Sequence, residues 1–221
     1  VPVGVFLSGG MDSSTITYFV NQLGLHPKTF SIGFKNWEKS EHEKAKIVSD
    51  SFGTEHHENI IDLVDIDLFK KLSWFYDEPL GGNSFIATYL VSKLASETVK
   101  VVLSGDGGDE IFSGYSRHHQ YAQQCLNFEQ KSSFLTKFFR FNKNKIDGAK
   151  EYGNLLRRTG IISENLVNLL NPDFTSEIPH DNDWLYRQHY YPQAGNVKSF
   201  QLLDFNALLP ELYLTKVDRA S

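Results

Sequence analysis

Short apolar runs alternate with helical patterns through the first half of the chain. The runs predict strands at residues 2–7, 28–34, 56–61 and 99–105. Between and after them, apolar residues at helical spacing predict helices at residues 12–23, 41–52, 66–75, 85–97 and 109–124. Strands that alternate with helices are typical of an α/β fold, so we expect a parallel sheet with helices on both faces.

The pattern changes in the second half of the chain, where no further strand is convincing. The segments there have helical spacing and are separated by polar loops such as 141–148 and 171–183. We therefore predict an α/β core over residues 1–126 and a mostly helical region over residues 127–221.

Composition narrows the class of protein. The chain has 221 residues, of which 40% are hydrophobic, enough for a sizeable core. Its net charge of −5 disfavours nucleic acid as a partner, and no apolar stretch approaches the roughly 20 residues of a membrane span. The single cysteine, Cys125, excludes an internal disulfide and suits a reducing compartment, so we expect a cytoplasmic protein.

The first candidate for chemistry is the turn Ser8-Gly9-Gly10, where a strand meets a helix. Glycines let backbone N–H groups converge on one point, and the helix dipole adds partial positive charge, so an anion is favoured there. The hydroxyls of Ser13 and Ser14 can donate as well. Asp12 would repel a phosphate but suits a Mg²⁺ ion that bridges carboxylate and phosphate. Taken alone, the segment is equally well explained as a tight turn followed by a first-turn acid.

A second turn, SGDGGDE at residues 104–110, follows another strand in the same way. Three acids at one junction exceed what helix capping needs, and crowded carboxylates repel unless they share a cation or a substrate. A parallel sheet can bring the two turns side by side, so Asp12 and Asp109 could hold one Mg²⁺ between them. The two turns together predict a nucleotide site.

Two histidine-bearing segments offer a metal alternative that we disfavour. His56 and His57 are adjacent on a strand and should point to opposite faces, while His118 and His119 lie about 100° apart on a helix. We predict solvated surface for both segments. The basic and aromatic stretch 137–145 could contact RNA, but a helix end with buried phenylalanines fits the acidic net charge better.

Four separated motifs carry a family resemblance. SGGMDSS is similar to the pyrophosphate loop of the N-type ATP pyrophosphatases, which are adenine nucleotide alpha hydrolase-like in fold. The longer set GVFLSGGMDSS, YDEPLGGNS, VVLSGDGGDEIFSGY and LTKVDRAS resembles the synthetase domain of the glutamine-hydrolysing asparagine synthetases in order and approximate spacing. The resemblance is weak only between about residues 125 and 199.

The resemblance implies a two-step reaction. ATP activates the side-chain carboxylate of aspartate as β-aspartyl-AMP with release of pyrophosphate, and ammonia then gives asparagine and AMP. The implied cofactors are ATP and Mg²⁺, and the implied substrates are aspartate and ammonia derived from glutamine. A homodimer is a further possibility that this resemblance leaves open.

The resemblance also implies roles for individual residues. Asp12 and Asp109 match the metal-binding acids, and Asp106 falls where members often carry a glutamate that acts on the acyl-adenylate and ammonia. Glu110 and Lys216 either line the site or belong to structural ion pairs. The positions that match nucleotide contacts are Phe6, Ser8, Gly9, Gly10, Asp12, Ser13, Ser14, Ile32, Ser104 and Gly105.

Members of the family carry more than this sequence contains. They produce ammonia in an N-terminal glutaminase domain that begins with a cysteine, whereas residue 1 here is Val, and their catalytic lysine should lie beyond Ser221. We therefore expect the chain to be the central piece of a synthetase domain. The alternatives are an amidotransferase for another carboxylate, such as a cell-surface sugar or a β-lactam precursor, a tRNA-modifying ATP pyrophosphatase, and a nucleotide-binding protein without activity.

Overall fold

The structure, a computed structural model, describes residues 1–35, 37, 40–62, 64–77, 84–123, 148–156, 171, 173, 183–192 and 196–221. They form two compact units. The first comprises Val1–Asp106 with Leu212–Ser221, and the second comprises Gly107–Glu211. The predicted boundary after residue 126 lies outside the described residues and stays a prediction, as do the predictions made for Cys125 and for residues 137–145.

A four-stranded parallel sheet forms the centre of the first unit. Its strands are β1 (Val3–Phe6), β2 (Lys28–Phe34), β3 (Glu55–Ile61) and β4 (Val101–Leu103), in the spatial order β3-β2-β1-β4. Every neighbouring pair is parallel. The predicted α/β fold with a parallel sheet is confirmed.

Helices cover both faces of this sheet, as predicted. They are α1 (Met11–Gln22), α2 (His42–Phe52), α3 (Ile66–Tyr76) and α4 (Ser84–Ser96), with a last helix at Thr215–Ala220. Phe30 of β2 packs on Ala95 of α4, whereas the adjacent Thr29 faces α2. Because neighbouring residues of a strand point to opposite faces, α2 and α4 lie on opposite sides of the sheet.

The two faces differ in chemistry. The α4 face is apolar, with Phe30, Ala95 and Val99 buried together. The α2 face carries a chain of hydroxyl contacts, in which Thr29 Oγ1 lies 3.0 Å from Thr54 Oγ1, which in turn lies 2.7 Å from Ser49 Oγ. Thr29 and Ser49 are fully buried, so these hydrogen bonds satisfy groups that would otherwise be costly to desolvate.

The two histidines of β3 are divided between the faces. His56 lies between Thr29 Oγ1 (2.9 Å) and Ser31 Oγ (3.2 Å), and His57 stacks on the Phe30 ring with centroids 5.2 Å apart. The expectation that they point to opposite faces is confirmed. The expectation of a fully solvated segment is wrong for both rings, which are half-buried by β2.

The second unit is helical over its described residues, in line with the predicted helical half. It contains α5 (Gly108–Phe112), a helical stretch at 116–123, and helices at Gly148–Leu156, Trp184–Gln188 and Asn196–Leu203. Its core is formed by Tyr121, Tyr152, Phe200, Leu203 and Ala207. The Tyr121 and Phe200 rings stack with centroids 3.7 Å apart.

A helix with a wider turn follows Leu203. Residues Asp204–Leu214 form a π-helix with Pro210 inside it, which the periodicity did not predict. Proline lacks the N–H that an α-helix needs and its ring clashes with the preceding turn, so a wider winding accommodates it better.

The helix predicted at 109–124 is wrong in one respect, because it is interrupted after Phe112. Ser113 adopts a left-handed conformation (φ 60°) and Gly114 N–H donates to Asp109 O at 3.0 Å, which closes the helix end. A Cβ at Gly114 would lie 1.8 Å from Asp109 Oδ1, so a larger residue there would displace the Asp109 carboxylate.

The environment predicted for His118 is also wrong. His118 is fully buried and its Nε2 lies 2.6 Å from Asp204 Oδ2, whereas His119 is exposed as expected. The partner is 86 residues away along the chain, so the local pattern could not reveal it. None of the described helices is long and apolar enough to cross a membrane.

Burial on the α2 face predicts a pH dependence of stability. Desolvation lowers the pKa of His56 below its ordinary value of 6.5, although the nearby Glu58 partly opposes this. The unfolded chain therefore takes up this proton at a higher pH than the folded chain does. Stability from this group is present above pH 6.5 and is lost as the pH falls through the folded pKa.

We expect the free energy of unfolding, measured with urea from about pH 8 to about pH 5, to fall less steeply with decreasing pH in His56→Gln than in the wild type. A variant with the same slope as the wild type would show that His56 does not contribute.

Candidate functional site

The strand order reverses at β1 and β4. β2 lies beside β1 on one side, and β4 pairs with β1 on the other side, with Val5 opposite Leu103. Ligands of open parallel sheets bind at such a reversal of strand order. The turn Ser8-Gly9-Gly10 follows β1 after Leu7, and the turn Ser104-Gly105 follows β4 directly.

The first turn can be made only by glycine at position 9. Gly9 has φ 77°, and a Cβ there would lie 2.6 Å from the carbonyl carbon of Lys44 and 2.7 Å from the backbone nitrogen of Ala45. The turn therefore lies directly on the backbone of α2, and both its conformation and its surroundings exclude a side chain.

Serine hydroxyls hold this turn together. Ser8 Oγ lies 3.1 Å from Ser13 Oγ and accepts from Gly10 N–H at 3.2 Å. Ser13 is buried, whereas Ser8 is exposed. The hydroxyls of the motif thus shape the loop as well as offering donors, and Ser8 is the one that faces solvent.

The first turn of α1 retains groups suited to an anion. Gly10 makes no side-chain capping bond, and an α-helix leaves its first N–H groups without intrahelical partners. Ser14 Oγ is buried and has no hydrogen-bond partner among the described residues. This donor set fits the phosphates of a nucleotide, and the half-exposed Asp12 beside it fits a magnesium ion.

The second turn contacts the start of α1, the helix that follows the first turn. A Cβ at Gly105 would lie 3.1 Å from Asp12 Cβ and 3.1 Å from Ser13 N, so backbone meets backbone here too. The structure thus brings Gly105 next to Asp12 and Ser13, which precede it by 93 and 92 positions in the chain. Ser104 is half-buried and Asp106 is exposed.

The two apolar positions predicted to border the nucleotide share one face of the sheet. Phe6 is opposite Phe30 in the register, and Leu7 N–H donates to Phe30 O at 2.9 Å. Ile32 follows Phe30 by two residues and therefore points to the same face, nearer the carboxyl edge. Both side chains are partly exposed. Their contact with adenosine stays a prediction.

Asp109 belongs to the second unit, where it is the second residue of α5. Gly107, with φ 93°, precedes that helix. Sharing of one ion by Asp12 and Asp109 therefore stays a prediction. Within the described ranges, no group of three or more His, Cys, Asp or Glu could hold a metal ion. Mg²⁺ bound through one or two carboxylates and substrate phosphates needs no such group.

Glu110 and Lys216 have structural contacts. Glu110 is buried and accepts a hydrogen bond from Tyr115 Oη at 2.6 Å. Lys216 Nζ lies 5.6 Å from the centroid of the Tyr213 ring, a cation–π contact.

Two of the motifs are linked by contacts that the sequence pattern did not indicate. In the first unit, Tyr76 Oη donates to Lys216 O at 3.2 Å, and Arg219 pairs with the left-handed Asp77. YDEPLGGNS and LTKVDRAS are thus joined physically. Burial raises the pKa of Tyr76, which keeps its hydroxyl protonated and able to donate. The only signal in the sequence was the presence of both motifs.

Comparison with known proteins agrees with this architecture. The family model described as asparagine synthase matches residues 1–221, and the chain belongs to that family.

Individual relatives carry related names. A Methanocaldococcus jannaschii protein, provisionally named asparagine synthetase (glutamine-hydrolyzing) 2, is 38% identical over 242 aligned residues, which cover 100% of this chain and 45% of the relative. Asparagine synthetase (glutamine-hydrolyzing) 1 of Bacillus subtilis is 39% identical over 54% of this chain and 19% of the relative. Asparagine synthetase (glutamine-hydrolyzing) 2 of Oryza sativa subsp. japonica is 37% identical over 76% of this chain and 31% of the relative. The chain spans less than half the length of these relatives.

The crowding around Gly9 yields a test with a matched control. Gly24 has a similar φ of 73°, but no atom lies within 4 Å of the position that a Cβ would take there. Gly24→Ala should therefore cost only the left-handed strain, about 1–2 kcal/mol. Gly9→Ala should cost about 1–3 kcal/mol more, because the methyl group overlaps the α2 backbone.

Urea unfolding of both variants measures the difference. Equal losses of unfolding free energy would contradict the close contact between the turn and α2.

Proposed function

We propose that the chain is the ATP-binding part of a glutamine-dependent asparagine synthetase. The observation that carries this proposal is the contact of Gly105 with the start of α1, at the reversal of strand order. Two glycine turns with acidic residues meet there, which is more than a simple strand-to-helix connection needs.

In this proposal the first turn binds the pyrophosphate half of ATP. Backbone N–H groups of Gly9 and Gly10 and the hydroxyls of Ser8, Ser13 and Ser14 supply the donors. Phe6 and Ile32 border the adenosine, and the backbone of Ser104 and Gly105 contacts the nucleotide. Asp12 and Asp109 would hold Mg²⁺, which when bound neutralises charge on the phosphates.

The chemistry proceeds in two displacements. A carboxylate oxygen of aspartate attacks the α-phosphorus of ATP, the bond to the bridging oxygen breaks, and pyrophosphate leaves. The donors of the first turn stabilise the charge that develops on this leaving group. Ammonia then attacks the acyl carbon, AMP leaves with the bonding electron pair, and asparagine is formed.

Asp106 is our candidate for the residue that accepts a proton from the attacking ammonia. It is exposed and directly follows the Gly105 turn. The side chain of an aspartate is about one methylene shorter than that of the glutamate expected at this position. The attacking ammonia must therefore lie correspondingly nearer to the end of β4.

Ammonia would come from a glutaminase domain in a longer protein. The names of the relatives, which include glutamine hydrolysis, and their greater length support this part of the proposal.

Aspartate-dependent pyrophosphate release tests the proposal. The assay contains ATP, Mg²⁺ and ammonium, so that no glutaminase is needed, and uses both the chain and a longer form that includes the rest of the synthetase domain. We expect pyrophosphate release only with aspartate, together with asparagine. Release prompted by a different carboxylate would instead indicate an amidotransferase with another acceptor, and ATP binding with no release under any condition would contradict an enzyme.

Asp12→Asn provides the site-specific arm of this assay. It should lower pyrophosphate release at least about tenfold. Loss of a residue that only supports a metal ligand already costs about 10–100-fold in metal affinity or activity, and Asp12 is a predicted ligand itself. The control is Asp67→Asn, since Asp67 is also the second residue of a helix, α3, and is exposed. Both variants weaken the interaction with a helix dipole, but only Asp12→Asn should affect the reaction.

A further inference from the structure

A buried cluster of charged side chains lies in the second unit. The residues of this cluster lie outside the two glycine turns in the sequence. Asp204 is fully buried at the start of the π-helix, and its Oδ2 lies 2.8 Å from Arg117 Nη2 and 2.6 Å from His118 Nε2. Burial of such charges is costly, and apolar replacements often stabilise a protein as well or better. A buried charge cluster is therefore weak evidence for a stabilising role.

Contacts lead from this cluster to the second glycine turn. The Arg117 guanidinium lies 3.5 Å from the centroid of the Tyr115 ring, within range of a strong cation–π contact. Tyr115 Oη donates to Glu110 Oε1 at 2.6 Å. Glu110 is buried in α5, directly after Asp109. We name this series of side chains the Asp204 relay, consisting of Asp204, Arg117, Tyr115 and Glu110.

The helix that carries Asp109 needs support from outside. α5 has five residues, too few for a helix to be stable on its own. Besides the relay, Gln201 Nε2 donates to Ile111 O at 2.6 Å, which attaches the end of α5 to the helix Asn196–Leu203. The relay acts on Glu110, which lies in the middle of α5 between the predicted metal ligand Asp109 and Ile111.

We propose that the Asp204 relay is a positioning device that fixes Asp109 for the magnesium ion of the bound nucleotide. The proposal rests on the function proposed above and adds to it Arg117 and Asp204, which lie outside the four motifs. Asp204 lies 87 positions from Arg117 in the sequence. It acts on α5 through the guanidinium of Arg117 and the phenol of Tyr115.

Tyr115→Phe breaks the relay by removing one hydroxyl. The concentration of Mg²⁺ that gives half-maximal ATP binding to the chain should rise about tenfold, the effect expected for loss of one hydrogen bond to a charged group. Amide hydrogen exchange should accelerate at Ile111 and Gly114, whose N–H groups donate to Gly107 O and Asp109 O. Asp204→Asn, at the far end, should change both readouts in the same direction.

Tyr190→Phe is the matched control. Tyr190 Oη lies 3.0 Å from Tyr121 Oη in the same unit, a contact that is not part of the relay. Both Tyr→Phe variants remove one phenolic hydroxyl and one hydrogen bond, so their urea midpoints should fall by similar amounts. Only Tyr115→Phe should raise the Mg²⁺ requirement and the exchange at α5.

The outcomes separate the two proposals. An increased Mg²⁺ requirement in Tyr115→Phe and Asp204→Asn, with Tyr190→Phe like the wild type, supports the relay. Equal behaviour of Tyr115→Phe and Tyr190→Phe, in a wild type that binds ATP with Mg²⁺, overturns the relay alone. A wild type without Mg²⁺-dependent ATP binding overturns the proposed function, and with it the assignment of Asp109 as the residue being positioned.

Discussion

Direct contact between backbone segments at the start of α1 is the constraint on which the rest of the site depends. Gly9 lies against the backbone of Lys44, and Gly105 lies against Asp12 and Ser13. Neither contact tolerates a side chain without displacement of its neighbour. The two glycines therefore bring two strand ends, one helix N-terminus and one carboxylate to a single place at the edge of the sheet.

The sheet supports this arrangement through two unlike faces. Phe30, Ala95 and Val99 form an apolar layer under α4, which anchors the strands by burial. On the other face, hydroxyls of Thr29, Thr54 and Ser49 form directional hydrogen bonds next to α2. Hydrogen bonds fix position more strictly than apolar contacts do, and α2 is the helix whose backbone touches the first glycine turn.

Much of the fold followed from local patterns. The strand at Lys28–Phe34 has the predicted bounds, and α2 ends at the left-handed Gly53 as a glycine stop predicts. The adjacency of the two glycine turns was predictable because parallel strands end at the same edge of a sheet. What the local pattern could not supply was the partner of a residue distant in sequence.

Some of the missed features are of that distant kind. His118 pairs with Asp204 across 86 positions, and Arg219 reaches Asp77 across 142. The interruption at Ser113 is instead local, a left-handed residue before Gly114 that apolar periodicity does not indicate. Pro210 was visible in the sequence, but a proline in a helical pattern does not by itself specify a π-helix.

The central claim is that the first glycine turn binds the pyrophosphate half of ATP. Backbone amide NMR of the chain, recorded while inorganic pyrophosphate is added with Mg²⁺, tests it most directly. We expect the largest chemical-shift changes at Ser8, Gly9, Gly10 and the first turn of α1, with smaller changes at Gly105. Saturable changes confined to other parts of the chain, or no changes at pyrophosphate concentrations that compete with ATP, would contradict it.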